Sequence, residues 1–243
     1  MRHFILWLLF CMAVPCMAQV GVGTNTPAAS AILDVSSDSK GFLPPRLNLQ
    51  QIKNIAAPQA GLMVYYIEAG KPCYYNGRAW YFFDNIPAFP QPGIFYPPAG
   101  GVIIYLDVSG LHGIVAASSN LEPDNAITWG CPGFNIPGAQ FSAIGTGQSN
   151  TNAILSACPN AGIAARLADQ LVLNGFSDWY LPSVDELQAI YMQKAFLPGI
   201  NNEIYWSSTQ VSTGMAKGIN FTDGSVSNVP TNLAISARAV RSF

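Results

Sequence analysis

The sequence has few charged residues. Only 10% of its 243 residues are Asp, Glu, Lys or Arg, against roughly 25% in ordinary globular proteins. The formal net charge is −2 at pH 7, so the chain lacks the basic excess that binding to a phosphate backbone needs. We therefore expect no nucleic-acid partner.

Histidine is also scarce. His112 is the only histidine after the first 18 residues, so Ser207 and Ser208 have no Ser-His-Asp arrangement to activate them. The sequence contains no C-x-x-C spacing, which would indicate a zinc site. The glycine-rich residues 145–148 lack the Lys-Ser/Thr ending of a phosphate loop, and we interpret them as a turn. We expect no catalytic residue, no metal ion and no cofactor.

Long apolar runs are confined to the beginning of the chain. Residues 4–14 are apolar and precede small residues ending at Ala18, which predicts a signal peptide over residues 1–18. A membrane anchor would need about 20 apolar residues, and no later segment supplies a transmembrane span. A lipoprotein is the weaker alternative, because Phe10 and Pro15 stand where a lipobox needs small residues. We predict an exported protein, secreted or on the outer surface of a Gram-negative bacterium.

Export favours disulfide bonds. Three of the five cysteines follow the predicted signal peptide. Cys131 and Cys158 lie in one predicted domain around a loop-rich stretch, so we predict a bridge between them, which would contribute about 3 kcal/mol. Cys73 is then left over, and we expect it to be buried and free.

Proline and glycine divide the chain. With 18 Pro and 22 Gly, many turns and short strands are expected. The proline-rich residues 84–99 are interpreted as a linker that cannot join a central sheet. They separate a β-rich segment, residues 19–83, from an α+β domain, residues 100–243.

Local patterns predict the elements of each part. In the first part we expect strands at 32–35 and 61–67, a short helix at 49–55, and a hairpin of residues 73–75 and 79–83 around a type I′ turn at Asn76-Gly77. In the second we expect hairpins at 101–107/111–117 and 217–221/225–229, helices at 150–157 and 162–173 with a stop at Asn174-Gly175, a helix from Ser183, and a last strand at 236–243.

The helix after Ser183 has a clear beginning. The Ser183 hydroxyl and Glu186 three residues later form the pattern of a capping box. Asp185 and Glu186 are adjacent, so their side chains diverge and do not form a pair for acid–base chemistry. We favour a capping role for both carboxylates, which complement the helix dipole.

Aromatic residues give the main candidate for binding. Trp129, Trp179 and Trp206, with Tyr205, form either part of the core or an aromatic platform for a sugar or peptide. We favour core packing for the tryptophans, because such large rings are mostly buried. The platform is the functional alternative.

Arg238 and Arg241 lie in the last predicted strand. Residues three apart in a strand face opposite sides, so one arginine should point inward and need a carboxylate partner. Asp178 and Asp185 are the candidates. Both arginines in open solvent would contradict this prediction.

The first part resembles N-terminal segments of some Gram-negative surface proteins and of phage tail fibres. The resemblance lies in Val20-Gly21-Val22-Gly23-Thr24, in the run from Ala31 to Ser37 and in Lys40-Gly41-Phe42-Leu43-Pro44-Pro45-Arg46, and covers residues 20–83. It implies a stalk that assembles as a homo-trimer. A small β-meander packed on the second domain is an equally good alternative.

The second part resembles the Lcl C-terminal domain family, named for the distal domain of a collagen-like bacterial adhesin. The motifs that carry the resemblance are Gly100–Tyr105, Leu111–Ala117, Trp129-Gly130-Cys131, Ile144–Thr151, Ser177-Asp178-Trp179-Tyr180-Leu181-Pro182-Ser183, Tyr205-Trp206-Ser207-Ser208 and Arg238-Ala239-Val240-Arg241. The resemblance implies a C-type-lectin-like fold and an extracellular glycan or protein partner. A sulfated glycan would need a basic patch, for which this chain has few residues.

Three functions remain open. The first is a non-catalytic binding or adhesion module. The second is a structural fibre or stalk subunit. The third is an enzyme related to sulfatase-modifying proteins, which share a similar helix start; Cys131 and Cys158 precede the matching helix, whereas the copper-holding pair of those enzymes follows it. We favour the first, with the second compatible with it.

Overall fold

The structure, a computed structural model, describes residues 19–243. The predicted signal peptide, residues 1–18, lies outside the described residues. The remaining chain is rich in short strands with four α-helices among the described residues, which confirms a β-rich α+β fold.

The first part contains two separate sheets. Strands β1 (Val20–Val22) and β2 (Leu33–Val35) pair in parallel as a ribbon of two strands. The second sheet has the order β3-β4-β5-β6 and consists of β3 (Arg46–Leu47), β4 (Met63–Tyr66), β5 (Lys71–Tyr75) and β6 (Trp80–Phe82). Helix α1 (Leu49–Lys53) begins at Asn48, whose side chain forms a capping box with Gln51. The strands, helix and hairpin predicted here are present.

The type I′ turn predicted at Asn76-Gly77 occurs at the other Asn-Gly pair. At the β5–β6 connection the Asn76 side-chain oxygen accepts from the N–H groups of Arg78 and Ala79, both at 2.9 Å. Asn76 therefore keeps an ordinary backbone conformation and only Gly77 has positive φ, 96°, so the predicted type I′ turn is wrong. The type I′ geometry occurs at Asn174-Gly175 instead, where both residues have positive φ, 54° and 83°.

The second part contains two further sheets and three helices. One sheet has the order β13-β9-β8-β7, with β7 (Phe95–Tyr96), β8 (Gly101–Leu106), β9 (Gly113–Ala116) and β13 (Val240–Ser242). The other is formed by β10 (Ile204–Ser212), β11 (Met215–Asn220) and β12 (Val226–Pro230). The helices are α2 (Gly147–Ala157), α3 (Ala164–Asp169) and α4 (Val184–Met192). Both predicted hairpins are present.

Several elements differ from the sequence prediction. The last strand is Val240–Ser242 and does not extend over residues 236–243, and helix α2 begins at Gly147 and not at residue 150. Helix α3 ends at Asp169 and does not continue to residue 173, because Leu173 and Phe176 exchange backbone hydrogen bonds of 3.0 Å across the Asn174-Gly175 turn. Strand β10 was not predicted as a strand. Its residues 205–210 are all buried, so it lacks the alternation of apolar and polar residues that marks a strand with one wet face.

The core of the second part lies on both sides of strand β8. Ile103 packs into a cluster with Trp129, Trp179 and Trp206. Its neighbours Val102 and Ile104 face the other way, into a cluster with residues of α4, as expected from the alternation of side chains along a strand. The sheet is therefore a central layer, covered on each face.

The proline-rich residues 84–99 are packed against both parts of the chain. Phe89 joins the small core of the first part with Ile52 and Trp80. Strand β7 pairs with β8 at the edge of the second sheet, a position in keeping with the exclusion of proline from central strands. The segment joins the two parts without standing free of them, and the division at residues 83 and 99 stays a prediction.

The predicted disulfide is present. Cys131 is bonded to Cys158, with a Cα–Cα distance of 5.8 Å, and Cys73 is buried and free. The bridge ties the loop after Trp129 to the end of α2, where Cys158 is the C-cap. Burial raises the pKa of the Cys73 thiol to about 11, so this group is poorly reactive.

Removing the bridge should destabilise the second part. It spans 27 residues, for which the loss of chain entropy in the unfolded state contributes about 3.5 kcal/mol. We expect the double substitution Cys131→Ala, Cys158→Ala to lower the free energy of unfolding in urea by about that amount. Cys73→Ala, which removes a thiol but no bridge, is the control. A reductant should lower the free energy of unfolding of this variant but not that of the double variant. Equal stability of the double variant and the oxidised wild type would contradict the expectation.

Candidate functional site

The aromatic side chains proposed as a binding platform are all buried. The exposed fraction is 0% for Trp129, Trp206 and Tyr205 and 1% for Trp179. They cannot stack against a ligand at the surface, so the core packing that we favoured is observed and the alternative of a binding platform is wrong. The physical reason is the two-sided burial of β10, which brings Tyr205 and Trp206 into opposite halves of the core.

The indole N–H groups find their partners inside the protein. Trp129 Nε1 donates to the carbonyl oxygen of Ser207, and Trp206 Nε1 donates to that of Ile127, both at 2.8 Å. This reciprocal pair fastens residues 127–129 to β10. A buried indole needs such a partner, and the two tryptophans therefore serve to align two segments of chain.

Arg241 and Asp178 form the ion pair predicted between the last strand and the motif before α4. The Arg241 Nε and Nη2 atoms donate to the two carboxylate oxygens of Asp178 at 2.6 and 2.8 Å. The third donor, Nη1, bonds to the carbonyl oxygen of Ala99 at 2.7 Å. The hydrogen bonds from Arg241 lower the pKa of the Asp178 carboxyl below its usual range. Asp185, the other candidate, is exposed and has no ion pair among the described residues.

Arg238 is buried as well, which the strand argument did not predict. Its exposed fraction is 0%, yet no carboxylate of residues 19–243 lies within ion-pair distance. Nε, Nη1 and Nη2 donate instead to the side-chain oxygen of Asn120 and to the carbonyl oxygens of Ala117 and Pro198, at 2.7–2.9 Å. Burial lowers the pKa of the guanidinium to about 10, so it remains charged at neutral pH. Both faces of the last segment are therefore inside the protein.

The carboxylate of Glu186 organises the loop before α2. The Ser183 side chain accepts from Glu186 N–H and Glu186 bonds back to Ser183 N–H, which confirms the capping box. Glu186 also accepts from Gly145 N–H at 2.8 Å. A Cβ atom at Gly147 would collide with the same carboxylate. The glycine-rich residues 145–148 thus enclose a carboxylate of their own chain, and desolvation in this enclosed position raises the pKa of Glu186.

The remaining candidates for chemistry do not converge. Ser207 and Ser208 are buried and their hydroxyls take part in internal hydrogen bonds, to Lys217 O and from Asn150. His112 is exposed next to the β8–β9 connection. Among residues 19–243 no group of three or more His, Cys, Asp or Glu could hold a metal ion.

Exposed aromatic rings occur at another place, which sequence reasoning missed. Phe134 and Phe141 are 55% and 53% exposed. Their carbonyl oxygens accept from the side chains of two consecutive residues of β10, Gln210 at 2.8 Å and Thr209 at 3.0 Å. Val211, the next residue of the strand, is 37% exposed. We call Phe134, Phe141 and Val211 the β10-end surface.

The β10-end surface is held from below by buried polar groups. Gln210 is 2% exposed and its side-chain oxygen also accepts from Ile136 N–H at 2.6 Å. Asn150, fully buried, bonds to both the N–H and the carbonyl of Phe141. The backbone on which the two rings stand is therefore fixed before any ligand arrives, which lowers the entropic cost of binding. The sequence offered no periodic signal for these two loops.

A group of polar side chains around Ser236 has a structural role. The Ser236 hydroxyl lies 2.8 Å from an Asp124 oxygen and 2.9 Å from a Glu203 oxygen. Asn201 bonds to Asp124 at 3.1 Å and Asn125 to Glu203 at 3.3 Å. These side chains satisfy one another and join two loops to the last segment of the chain.

Comparison with known families gives two matches. Residues 21–93 match the family described as a phage tail like trimerisation region. Residues 127–241 match the Lcl C-terminal domain. Both resemblances inferred from the sequence are confirmed; the first match extends beyond residue 83 and the second begins later than residue 100. No curated protein matches the chain. Within the described residues no helix is long and apolar enough to cross a membrane.

The Asp178–Arg241 pair should make stability depend on pH in acid. The folded-state pKa of Asp178 is lowered, so the stabilisation is complete above the unfolded value of about 3.9 and is lost as the pH falls through the folded value. The Asp178 side chain is 58% exposed, which limits the contribution to about 1 kcal/mol.

We therefore expect Asp178→Asn to lower the free energy of unfolding at neutral pH by about 1 kcal/mol. The difference from wild type should shrink in acid, as the pH falls through the lowered folded-state pKa and the wild-type carboxyl also becomes protonated. Urea unfolding at neutral and at acid pH measures it. Asp169→Asn, an exposed site at the end of α3, is the matched control. A difference that is the same at both pH values would contradict the role of the pair.

Proposed function

We propose that this protein is a trimeric, fibre-like protein of the bacterial cell surface whose second part is a non-catalytic binding module for an extracellular glycan or protein. The observation that carries the proposal is the order of the two family matches, a trimerisation region followed by an Lcl C-terminal domain. These matches indicate an exported surface or fibre-like protein that forms homo-oligomers. Adhesion, the ligand class, display on a Gram-negative outer surface and the absence of catalysis are our proposals.

The first part supports assembly. No residue from 19 to 51 is buried, although this segment contains many large apolar side chains. A two-stranded ribbon such as β1–β2 is not stable in water by itself. Exposed apolar side chains in contiguous patches mark interaction sites, and further copies of the same chain would cover them.

The architecture of the second part supports a C-type-lectin-like fold, which we propose on the strength of the family match. Its last strand, β13, pairs with β9, which in turn pairs with β8 near the start of the domain. Both ends of the domain therefore meet in one sheet, with the helices and the sheet of β10, β11 and β12 between them in the sequence. This arrangement leaves the loops that follow Trp129, including the β10-end surface, on the outside.

The β10-end surface supports the binding function. Phe134 and Phe141 present apolar rings to solvent from a rigid base, and aromatic side chains are the groups that contribute most to binding at protein surfaces. The described residues hold no cluster of groups suited to metal-dependent chemistry, and the buried serines have no activating base in contact. A binding module accounts for these features better than an enzyme does.

The trimer is tested by size-exclusion chromatography with light scattering on the mature protein, residues 19–243. We expect a mass three times that of one chain at micromolar concentration, since the exposed apolar side chains of residues 20–43 are covered only in an oligomer. A monomer at that concentration would contradict the proposed assembly.

The binding function is tested on a glycan array with the mature protein. We expect binding to a subset of glycans, and we expect the double substitution Phe134→Ala, Phe141→Ala to weaken that binding about tenfold or more, because two exposed rings are lost. Tyr105→Ala, which removes a 37% exposed ring elsewhere, is the matched control and should bind as the wild type does. Undiminished binding by the double variant would reject the β10-end surface. Absence of any glycan binding would leave only a protein partner.

A further inference from the structure

The β1–β2 ribbon has one apolar face. In the parallel register Val20 is paired with Leu33, and Val22 with Val35. Residues two apart in a strand share a face, so these four side chains stand together on one side. Their exposed fractions are 45–54%. In the described part of the chain the loop of residues 36–41 lines a hollow with Val22 and Val35, but all four side chains remain largely exposed.

The ribbon is detached from the rest of the chain. Its hydrogen bonds, such as Val20 N–H to Ile32 O and Ser36 N–H to Val22 O, stay within residues 19–40. None of the described hydrogen bonds joins residues 19–40 to the remainder, and none of those residues belongs to a core cluster. The ribbon is therefore an arm that lacks stabilising contacts with the rest of the described chain.

A matching apolar groove lies on the outer face of the sheet of β3–β6. It encloses about 370 Å³ and is lined by Phe42, Leu43 and Pro44 and by Met63, Tyr65 and Phe83. Met63 and Tyr65 are the outward residues of β4, whereas Val64 and Tyr66 face the small core. Phe42, Leu43 and Phe83 are 60–64% exposed. The described residues of the first part therefore carry two uncovered apolar surfaces, one narrow and one concave.

We propose that the apolar face of the ribbon in one copy docks into this groove on a neighbouring copy of the chain. The inference rests on the proposed trimer and names the contact that forms it. The match to a trimerisation region spans both surfaces, residues 21–93. Residues 36–41, which join the ribbon to the groove-lining Phe42, can extend over about 20 Å, enough to reach across to an adjoining copy.

The symmetry of the contact agrees with a closed trimer. Ribbon and groove are two different surfaces, so each copy gives its ribbon to one neighbour and receives that of the other. Such a head-to-tail contact closes into a ring when the rotation between copies permits. Three copies then hide both apolar surfaces, with no free ribbon and no free groove.

Cross-linking between differently tagged chains tests the contact. Val22→Cys in one chain and Met63→Cys in the other place a thiol on the ribbon face and one in the groove. The two variants are produced in one cell, purified through both tags and treated with a short bismaleimide. We expect a product that contains one chain of each kind. Wild-type protein should give none, because Cys73 is buried and the other two described cysteines are bridged.

Val22→Cys combined with Val172→Cys is the matched control, since Val172 is 72% exposed but lies in the second part. It should give no product. Linkage of Val22→Cys chains only to each other would overturn the inference, because the ribbons would then pack together. A trimer by light scattering that yields no ribbon–groove product would overturn the docking and leave the trimer intact. A monomer by light scattering would reject the proposed assembly itself, and the docking with it.

Discussion

The buried guanidinium groups of Arg238 and Arg241 are the constraint on which the second part depends. Their donors reach Ala99, Ala117, Asn120, Asp178 and Pro198, positions spread over the whole domain. Most of these acceptors are backbone carbonyls, which suits a chain with so little charge. Each guanidinium offers several donors in a fixed plane, so one side chain can fix several loops at once. The last segment of the chain thereby closes the domain.

The tryptophans likewise bond to backbone carbonyls inside the protein, which explains why they do not form a binding site. The indole N–H groups of Trp129 and Trp206 donate to backbone carbonyls inside the core. The Glu186 carboxylate accepts a hydrogen bond from Gly145 N–H and so fixes the glycine-rich turn. These side chains build the frame from which the loops with Phe134 and Phe141 project. In the binding function that we propose, recognition belongs to these projecting side chains, which no sequence pattern marks. Conserving the frame while varying the projecting residues would let one fold serve different ligands.

The first part follows a different physical rule. Its small core of Ile52, Val64, Cys73, Trp80 and Phe89 lies within residues 52–89, and Leu47 and Leu49 pack against it. Residues 19–40, in contrast, contribute no side chain to a core cluster. Residues 19–40 have too few contacts within the described chain to offset the entropy of ordering. In the assembly that we propose, contacts with other copies supply the missing stabilisation. Assembly and folding of this part are then a single process.

The sequence by itself determined the features that depend on neighbouring residues or on pairing. These include the capping box at Ser183 and Glu186, the hairpins around residues 108–110 and 223–224, the short helix after Asn48 and the Cys131–Cys158 bridge. It also predicted an ion pair between one of the two arginines and Asp178 or Asp185, which the structure shows to be Arg241 and Asp178. Its motifs identified both families.

Only the tertiary structure decided which faces of each element are buried. Strand β10 has no alternation because both its faces are buried, and Arg238 is as deeply buried as the tryptophans for the same reason. The type I′ turn forms at Asn174-Gly175 and not at Asn76-Gly77, because the Asn76 side chain caps its own loop whereas Leu173 and Phe176 pair across the other turn. Burial and partner choice arise between distant segments, and a local pattern carries no record of what will pack against it.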